Sequence, residues 1–195
     1  MKFKDKAPVL ILIGMQQGYV ENEYWGGQRS NPKMEENLGK LLKFWRSKEL
    51  PVIHVKHKST NEKSPLHKKN PGCKLMAGFK PVGNEPLFKK KASSAFIGTR
   101  LEQYLIENDY KTLVFGGLTA NHAVSSSVRM ANSLGFKVFV LNDGTAAFDR
   151  RGMEGVSYSA DLIHQVSLTN LNEEFATVFS CEKMKKTINL MAENE

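Results

Sequence analysis

The chain has 195 residues, of which 41% are hydrophobic and 25% charged, and it carries a formal net charge of +8. A chain this long buries roughly 70% of the surface it exposes when unfolded, so one compact domain over 1–195 is expected without any staple, and disorder or a low-complexity filament is excluded. The charge invites a nucleic-acid reading, but the basic residues are scattered, densest at Lys89 to Lys91, at Lys68 with Lys69, and at Lys183 with Lys185 and Lys186, and no aromatic residues alternate with them as base-stacking platforms would.

The first apolar run, 7–15, follows Lys2, Lys4 and Lys6 and so imitates a secretory signal. It spans only about nine residues, far short of the ~20 that a membrane helix needs, and no small-residue cleavage site follows it. Residues 8–14 are instead read as a strand apolar on both faces, the mark of a sheet covered on both sides. A helix is predicted over 34–48, where Leu38, Leu41, Leu42 and Trp45 share one face, and then a strand over 51–57. The polar stretch 58–85, rich in Lys, Asn, Pro and Gly, is longer than loops usually are without a functional reason, and is read as a lid or an oligomer contact. A weak strand at 86–90, a helix at 97–107, a strand at 112–117, a helix at 121–134 closed by Gly135, and a strand at 137–141 continue the alternation. A turn-rich link at 143–158 leads to a helix over 159–172, a strand over 175–179 and a last helix from near Cys181. This order predicts an α/β fold, a three-layer α/β/α sandwich on a six-stranded, mostly parallel, Rossmann-like sheet. Ligands in such sheets bind beyond the carboxyl ends of the strands at the topological switch point, which gathers Gly14, His57, Lys90, residues 117–123 and Asp143 around one crevice.

Four segments carry a more specific signal. They are Leu10-Ile-Leu-Ile-Gly-Met-Gln-Gln-Gly-Tyr19; Lys90 followed by Ser94-Ala-Phe-Ile-Gly-Thr-Arg-Leu101; Gly117-Leu-Thr-Ala-Asn-His-Ala-Val124; and Arg129-Met-Ala-Asn-Ser-Leu-Gly-Phe136 with Asp143. Together they resemble the isochorismatase-like cysteine hydrolases, a family that includes nicotinamidases, N-carbamoylsarcosine amidases and isochorismatases, along nearly the whole chain. The resemblance implies a triad of Asp, Lys and Cys, in which a thiolate attacks a carbonyl, the carboxylate handles its proton and the lysine holds the pair electrostatically. Carried over position by position, the lysine is Lys90, but the aspartate falls on Gly14 and the cysteine on Ala123, with a cis peptide expected at or next to Ala120. Glycine and alanine offer neither a proton acceptor nor a nucleophile. Isochorismatases also lack the cysteine, yet keep the aspartate. The resemblance therefore implies a hydrolase-like protein that is a pseudoenzyme for the usual chemistry, since binding and oxyanion stabilisation alone leave only a residual ~10³- to 10⁴-fold effect. It further implies no cofactor and a homodimer or homotetramer.

Losing an aspartate and a potential thiolate deletes two negative charges, while Lys90 and the positive end of the helix at Asn121 remain. The emptied pocket is expected to favour a small anion such as a carboxylate, phosphate or sulfate, contacted by Gln16, Ala120, Asn121 and His122. The plainer alternatives are that Lys90 points to solvent and that His122 caps or packs a helix. His54 and His57 do not suit one metal ion, no Asp-x-His group resembles the nicotinamidase metal site, and His164 reads as structural. Cys73 and Cys181 are too few and too far apart for a disulfide framework or a zinc site, which makes a reducing cytoplasm the expected setting. Cys73 is the one thiol on the long loop near the crevice, whereas Cys181, near a helix start, is either activated or an inert buried thiol. Trp25, Phe96 and Phe148 are candidate pocket aromatics, with core packing as the alternative. Three functions follow: a disarmed hydrolase that binds a small ligand or a partner, an active hydrolase or lyase using Lys90 with His122 or Asp143, and a nucleic-acid or acidic-partner binder, which the scattered charge disfavours.

Overall fold

The computed structural model describes residues 7–193; Lys2, Lys4 and Lys6 lie outside the described residues. The strands are β1 (Val9–Ile13), β2 (Val52–His57), β3 (Leu87–Lys90), β4 (Thr112–Leu118), β5 (Lys137–Ala146), β6 (Arg150–Arg151), β7 (Ser157–Tyr158) and β8 (Thr177–Phe179). The helices are α1 (Asn22–Trp25), α2 (Met34–Ser47), α3 (Leu101–Glu107), α4 (Ser125–Ser133), α5 (Ala160–Thr169) and α6 (Cys181–Glu193). The main sheet runs β3-β2-β1-β4-β5-β8 with every pair parallel, and β6 and β7 form a separate antiparallel hairpin.

Successive side chains of a strand point to opposite faces, and β1 shows what that does here. Leu10 and Leu12 enter one cluster with Leu38, Leu41, Leu42 and Trp45 of α2 and Met184 and Ile188 of α6. Val9, Ile11 and Ile13 enter a second with Leu101 and Leu105 of α3, Val128 and Ala131 of α4, and Leu168 of α5. Each fully buried aliphatic side chain contributes about 1.5–3 kcal/mol, so β1 anchors both layers at once. The Trp45 indole N–H donates to Pro51 O at 2.9 Å, which latches α2 to the entrance of β2.

Four predicted boundaries move for local reasons. The helix expected from 97 starts at Leu101, because the Thr99 hydroxyl donates to Ala95 O at 2.6 Å and accepts the Leu101 N–H at 3.2 Å, a side-chain turn that competes with helix. The helix expected over 159–172 ends at Thr169 as α5, and the Phe175 and Ala176 amides fold back onto Leu171 O, each at 3.0 Å, so β8 starts only at Thr177. β5 runs on to Ala146: after a register shift in β4, Gly117 and Leu118 pair with Thr145 and Ala146. The rest of the turn-rich link holds the β6–β7 hairpin.

The segment 58–85 carries two short 3₁₀ turns, Pro71–Cys73 and Ala77–Phe79, and buries Leu66, Cys73, Leu75 and Phe79. Gln16 fastens it: its Nε2 donates to His57 O and to Cys73 O, both at 3.0 Å, and its Oε1 accepts the His57 N–H at 2.8 Å. The far end is clamped by Glu85, whose carboxylate takes two bonds from Arg46 at 2.7 Å, one from the Val82 N–H at 3.0 Å, and lies 2.8 Å from His54 Nε2. Although burial opposes it, these donors hold the Glu85 carboxyl down at about 2. Gln16→Leu, which strands the buried Cys73 carbonyl and the half-buried His57 N–H and carbonyl, should lower stability in urea unfolding by about 2 kcal/mol and speed amide exchange around His57 and Cys73.

Candidate active site

The elements that form the site meet where the sheet changes direction. β1 ends at Ile13, just before Gly14, and β3 at Lys90, while β4 passes through a cis Leu118–Thr119 peptide into a five-residue π turn, Ala120–Val124, that feeds α4. β1 and β4 pair side by side with their crossovers running to opposite edges, which is the switch point of an open parallel sheet. The cis bond lies close to Ala120, as expected, at the bond before Thr119. The helix expected from 121 begins instead at Ser125; within the π turn the His122 and Val124 N–H groups already donate to Thr119 O, at 3.2 and 3.1 Å.

A crevice of about 280 Å³ opens here, lined by Tyr19, Trp25, His57, Lys90, His122 and Ala123, with Ser59, Asn61, Ser64 and Leu66 of the pinned 58–85 segment as its outer wall. A smaller lobe shares Trp25 and His122 and is completed by Thr119, Asn121, Phe148 and Arg150. Tyr19 and Trp25 stack with ring centroids 4.6 Å apart, and Phe148 lies 6.2 Å from Trp25, so the aromatic wall is continuous. The Trp25 indole N–H donates to Gly18 O at 2.8 Å, which fixes the ring against the turn that follows β1.

Lys90 is 2% exposed. Its Nζ donates to Ala92 O at 2.9 Å and lies 3.4 Å from His57 Nδ1. Burial pushes this amine down to about 8. His57 is pushed down to about 4, first by burial and second by the nearby Lys90 charge. At neutral pH the pair is therefore a largely charged amine beside a neutral imidazole. No Asp or Glu is among the described residues lining either lobe, so the ammonium has no counterion in the crevice. His122 is also shifted down, by burial and then by Arg150. In the smaller lobe the buried Thr119 hydroxyl and the Asn121 side-chain carbonyl have no hydrogen-bond partner in the protein.

Gly14 is held in a backbone conformation and a space that suit glycine alone. Its φ is +64°, and a Cβ there would sit 2.5 Å from Leu118 O. Its N–H donates to Val55 O at 2.9 Å, so backbone on both neighbouring strands holds it in place. Ala123 presents only a methyl to the crevice, and its carbonyl accepts the Ser127 hydroxyl at 2.6 Å.

Several sequence candidates lie elsewhere. Gln16 is fully buried with its amide spent on backbone, and Ala120 is fully buried; neither lines the crevice. Asp143 accepts the Cys181 N–H at 2.7 Å at the start of α6, away from the lining. Cys181 is buried, and desolvation followed by the Asp143 charge pushes its thiol up, the reverse of activation. Cys73 is also buried and does not reach the lining. Phe96 packs on Phe136 at 6.3 Å in the second core cluster. His54 faces Glu85, and His164 Nε2 meets the Thr145 hydroxyl at 3.0 Å, joining α5 to β5. Conversely, Tyr19 and Arg150 were not singled out from sequence. Tyr19 closes the opening motif, while nothing in a turn-rich link marks Arg150.

Among the described residues no three His, Cys, Asp or Glu side chains gather as metal ligands, and no helix is long and apolar enough to cross a membrane. Residues 8–183 match the isochorismatase domain. The uncharacterized isochorismatase family protein YrdC of Bacillus subtilis is 38% identical over 180 residues, covering 92% of this chain and 95% of its own. An isochorismatase-family protein from Chromobacterium violaceum superposes with a TM-score of 0.89 at 36% identity, covering 97% of each chain, and one from Oleispira antarctica with 0.83 at 25%, covering 93% of this chain and 97% of its own. With the fold, the switch-point crevice and these matches in agreement, the chain belongs to the isochorismatase-like hydrolase family.

Proposed function

We propose that this family member lacks the usual cysteine-hydrolase reaction and uses its crevice to bind a small anion. One observation carries the reading: a buried ammonium faces a cavity with no carboxylate in its lining. A buried charge without a partner is costly, and a ligand that brings a carboxylate, phosphate or sulfate relieves that cost. Arg150 and the orphaned Thr119 hydroxyl in the adjoining lobe support the same chemistry, while Asn121 supplies an amide beside His122. The aromatic wall favours a ligand with a flat apolar part.

A rearranged hydrolase or lyase built on Lys90 and His122 is the competing reading. The imidazole beside Lys90 is His57, and His122 Nε2 instead lies 3.3 Å from Asn121 Nδ2. The test pairs two measurements on the intact protein. Thermal shift with phosphate, sulfate and short carboxylates should raise Tm, and the rise should vanish in Lys90→Met. A panel of amides, ureas, nicotinamide and isochorismate should show no turnover above that variant. Turnover by the wild type that Lys90→Ala abolishes would overturn the proposal. Binding that follows net charge and ignores Lys90→Met would favour a nucleic-acid or acidic-partner surface instead.

A further inference from the structure

We propose that Lys90 is a covalent site, whose Nζ forms an imine with the carbonyl carbon of a small aldehyde or 2-oxo acid seated in the crevice. Three features converge. The lysine stem is buried, so the amine is fixed and points along one path rather than sampling solvent. A hydrogen-bond acceptor, His57 Nδ1, lies 3.4 Å from Nζ, and Gln16 holds that residue's backbone by both its N–H and its carbonyl. The crevice of about 280 Å³ is sized for a small metabolite, near the lower end of small-molecule sites. No carboxylate or thiol lines the crevice to hold the amine, whose partners are Ala92 O and His57 Nδ1. Burial also lowers the amine's basicity, so a useful fraction is neutral near pH 8.

The step balances with no outside reagent. The amine that is neutral near pH 8, having released one proton to solvent, attacks the carbonyl carbon with its lone pair, forming the C–N bond and breaking the C–O π bond. The nitrogen, now cationic and far more acidic, passes a proton to His57 Nδ1, which hands it to the carbinolamine oxygen. One proton taken up from solvent then lets the C–O bond break and oxygen leave as water. The product is a protonated imine, and the proton taken up equals the one first released, so its net charge is that of the starting ammonium. The choice of an anionic carbonyl compound rests on the anion-binding reading; the imine itself does not.

Glyoxylate and sodium cyanoborohydride are added to the full-length protein, and peptide mapping by mass spectrometry locates the carboxymethyl group. The expected result is one adduct, on Lys90, at a rate at least about tenfold above that of exposed Lys89 or Lys91. Lys90→Arg, which keeps the charge, should lose the adduct, and His57→Gln should slow it by about tenfold or more with a changed pH profile. Labelling of Lys90 no faster than of its neighbours overturns the proposal, as does an unchanged rate and pH profile in His57→Gln for the assigned proton acceptor. Propanal separates the two readings. If it labels Lys90 as fast as glyoxylate, the imine stands and anion selectivity falls; if glyoxylate raises Tm without an adduct, anion binding stands and the imine falls.

Discussion

Lys90→Met should raise stability by about 3 kcal/mol at pH 7 and remove the protein's response to small anions. The sign follows from where the amine titrates. It is protonated up to 10.5 in the unfolded chain but only to about 8 in the folded one, so between these values the unfolded state binds more protons. Stability then rises with pH across that window, and below pH 8 the whole penalty, on the order of 3 kcal/mol, is present. Methionine fills a similar volume with no charge to desolvate, so it escapes the penalty at every pH. Urea midpoints at pH 7 and pH 10 for both proteins give the readout as a difference. Burial pushes Tyr19 and Cys181 up, which opposes the trend at alkaline pH, but both groups are common to the two proteins and cancel. A wild type that gains nothing on the variant between pH 8 and 10.5 would mean that Lys90 is solvated or paired. Anion affinity in the wild type should fall over the same interval, as the charge that attracts the ligand is lost.

An aspartate at position 14, where the resemblance would place one, should not be accommodated. Gly14→Asp needs a side chain at φ +64° with its Cβ 2.5 Å from Leu118 O, and both β1 and β4 must give way to admit it. A loss of roughly 3 kcal/mol is expected, with Gly14→Ala costing about as much, because the obstacle is backbone rather than charge. Gly117→Ala should be worse: its φ is +114° and the new Cβ would lie 1.9 Å from Ile13 O, so the variant should not fold. Ala123→Cys opens onto the crevice and should be tolerated. Urea unfolding ranks the two Gly14 variants and Ala123→Cys, loss of folded protein scores Gly117→Ala, and a Gly14→Asp protein as stable as the wild type would show that the β1–β4 junction relaxes more readily than its geometry suggests. The two glycines face each other's neighbours across one strand pair, so the β1–β4 junction itself resists a side chain at either position.

The layered fold was legible because burial on both faces leaves a period-free apolar strand such as 9–13, and because the faces of the flanking helices repeat at 3.6 residues. Boundaries slipped where side chains or tertiary pairing outweighed periodicity: the Thr99 hydroxyl delays α3, and pairing with Gly117 and Leu118 carries β5 to Ala146 through residues that read as turn. At the site, Lys90, Gly14 and Ala123 were singled out through the resemblance of their segments to family motifs, and of these Lys90 and Ala123 line the crevice. Arg150 was not, since a residue that enters a pocket from a hairpin has no local pattern to betray it. Gln16 was found but for another task, because an amide bonding backbone 57 residues away looks in sequence like any polar residue beside a pocket.

The order of the strands also bears on how the chain matures. Of the described strands β1 leaves the ribosome first, but Val9 pairs with Leu113, about a hundred residues later, so the central strand waits with one edge open until β4 has emerged. During that interval an uninterrupted apolar segment stands beside an unpaired backbone edge, the arrangement most apt to recruit a second nascent chain. Slowing synthesis after residue 57 should therefore lower the yield of folded protein, and a chaperone that shields the early segment should restore it.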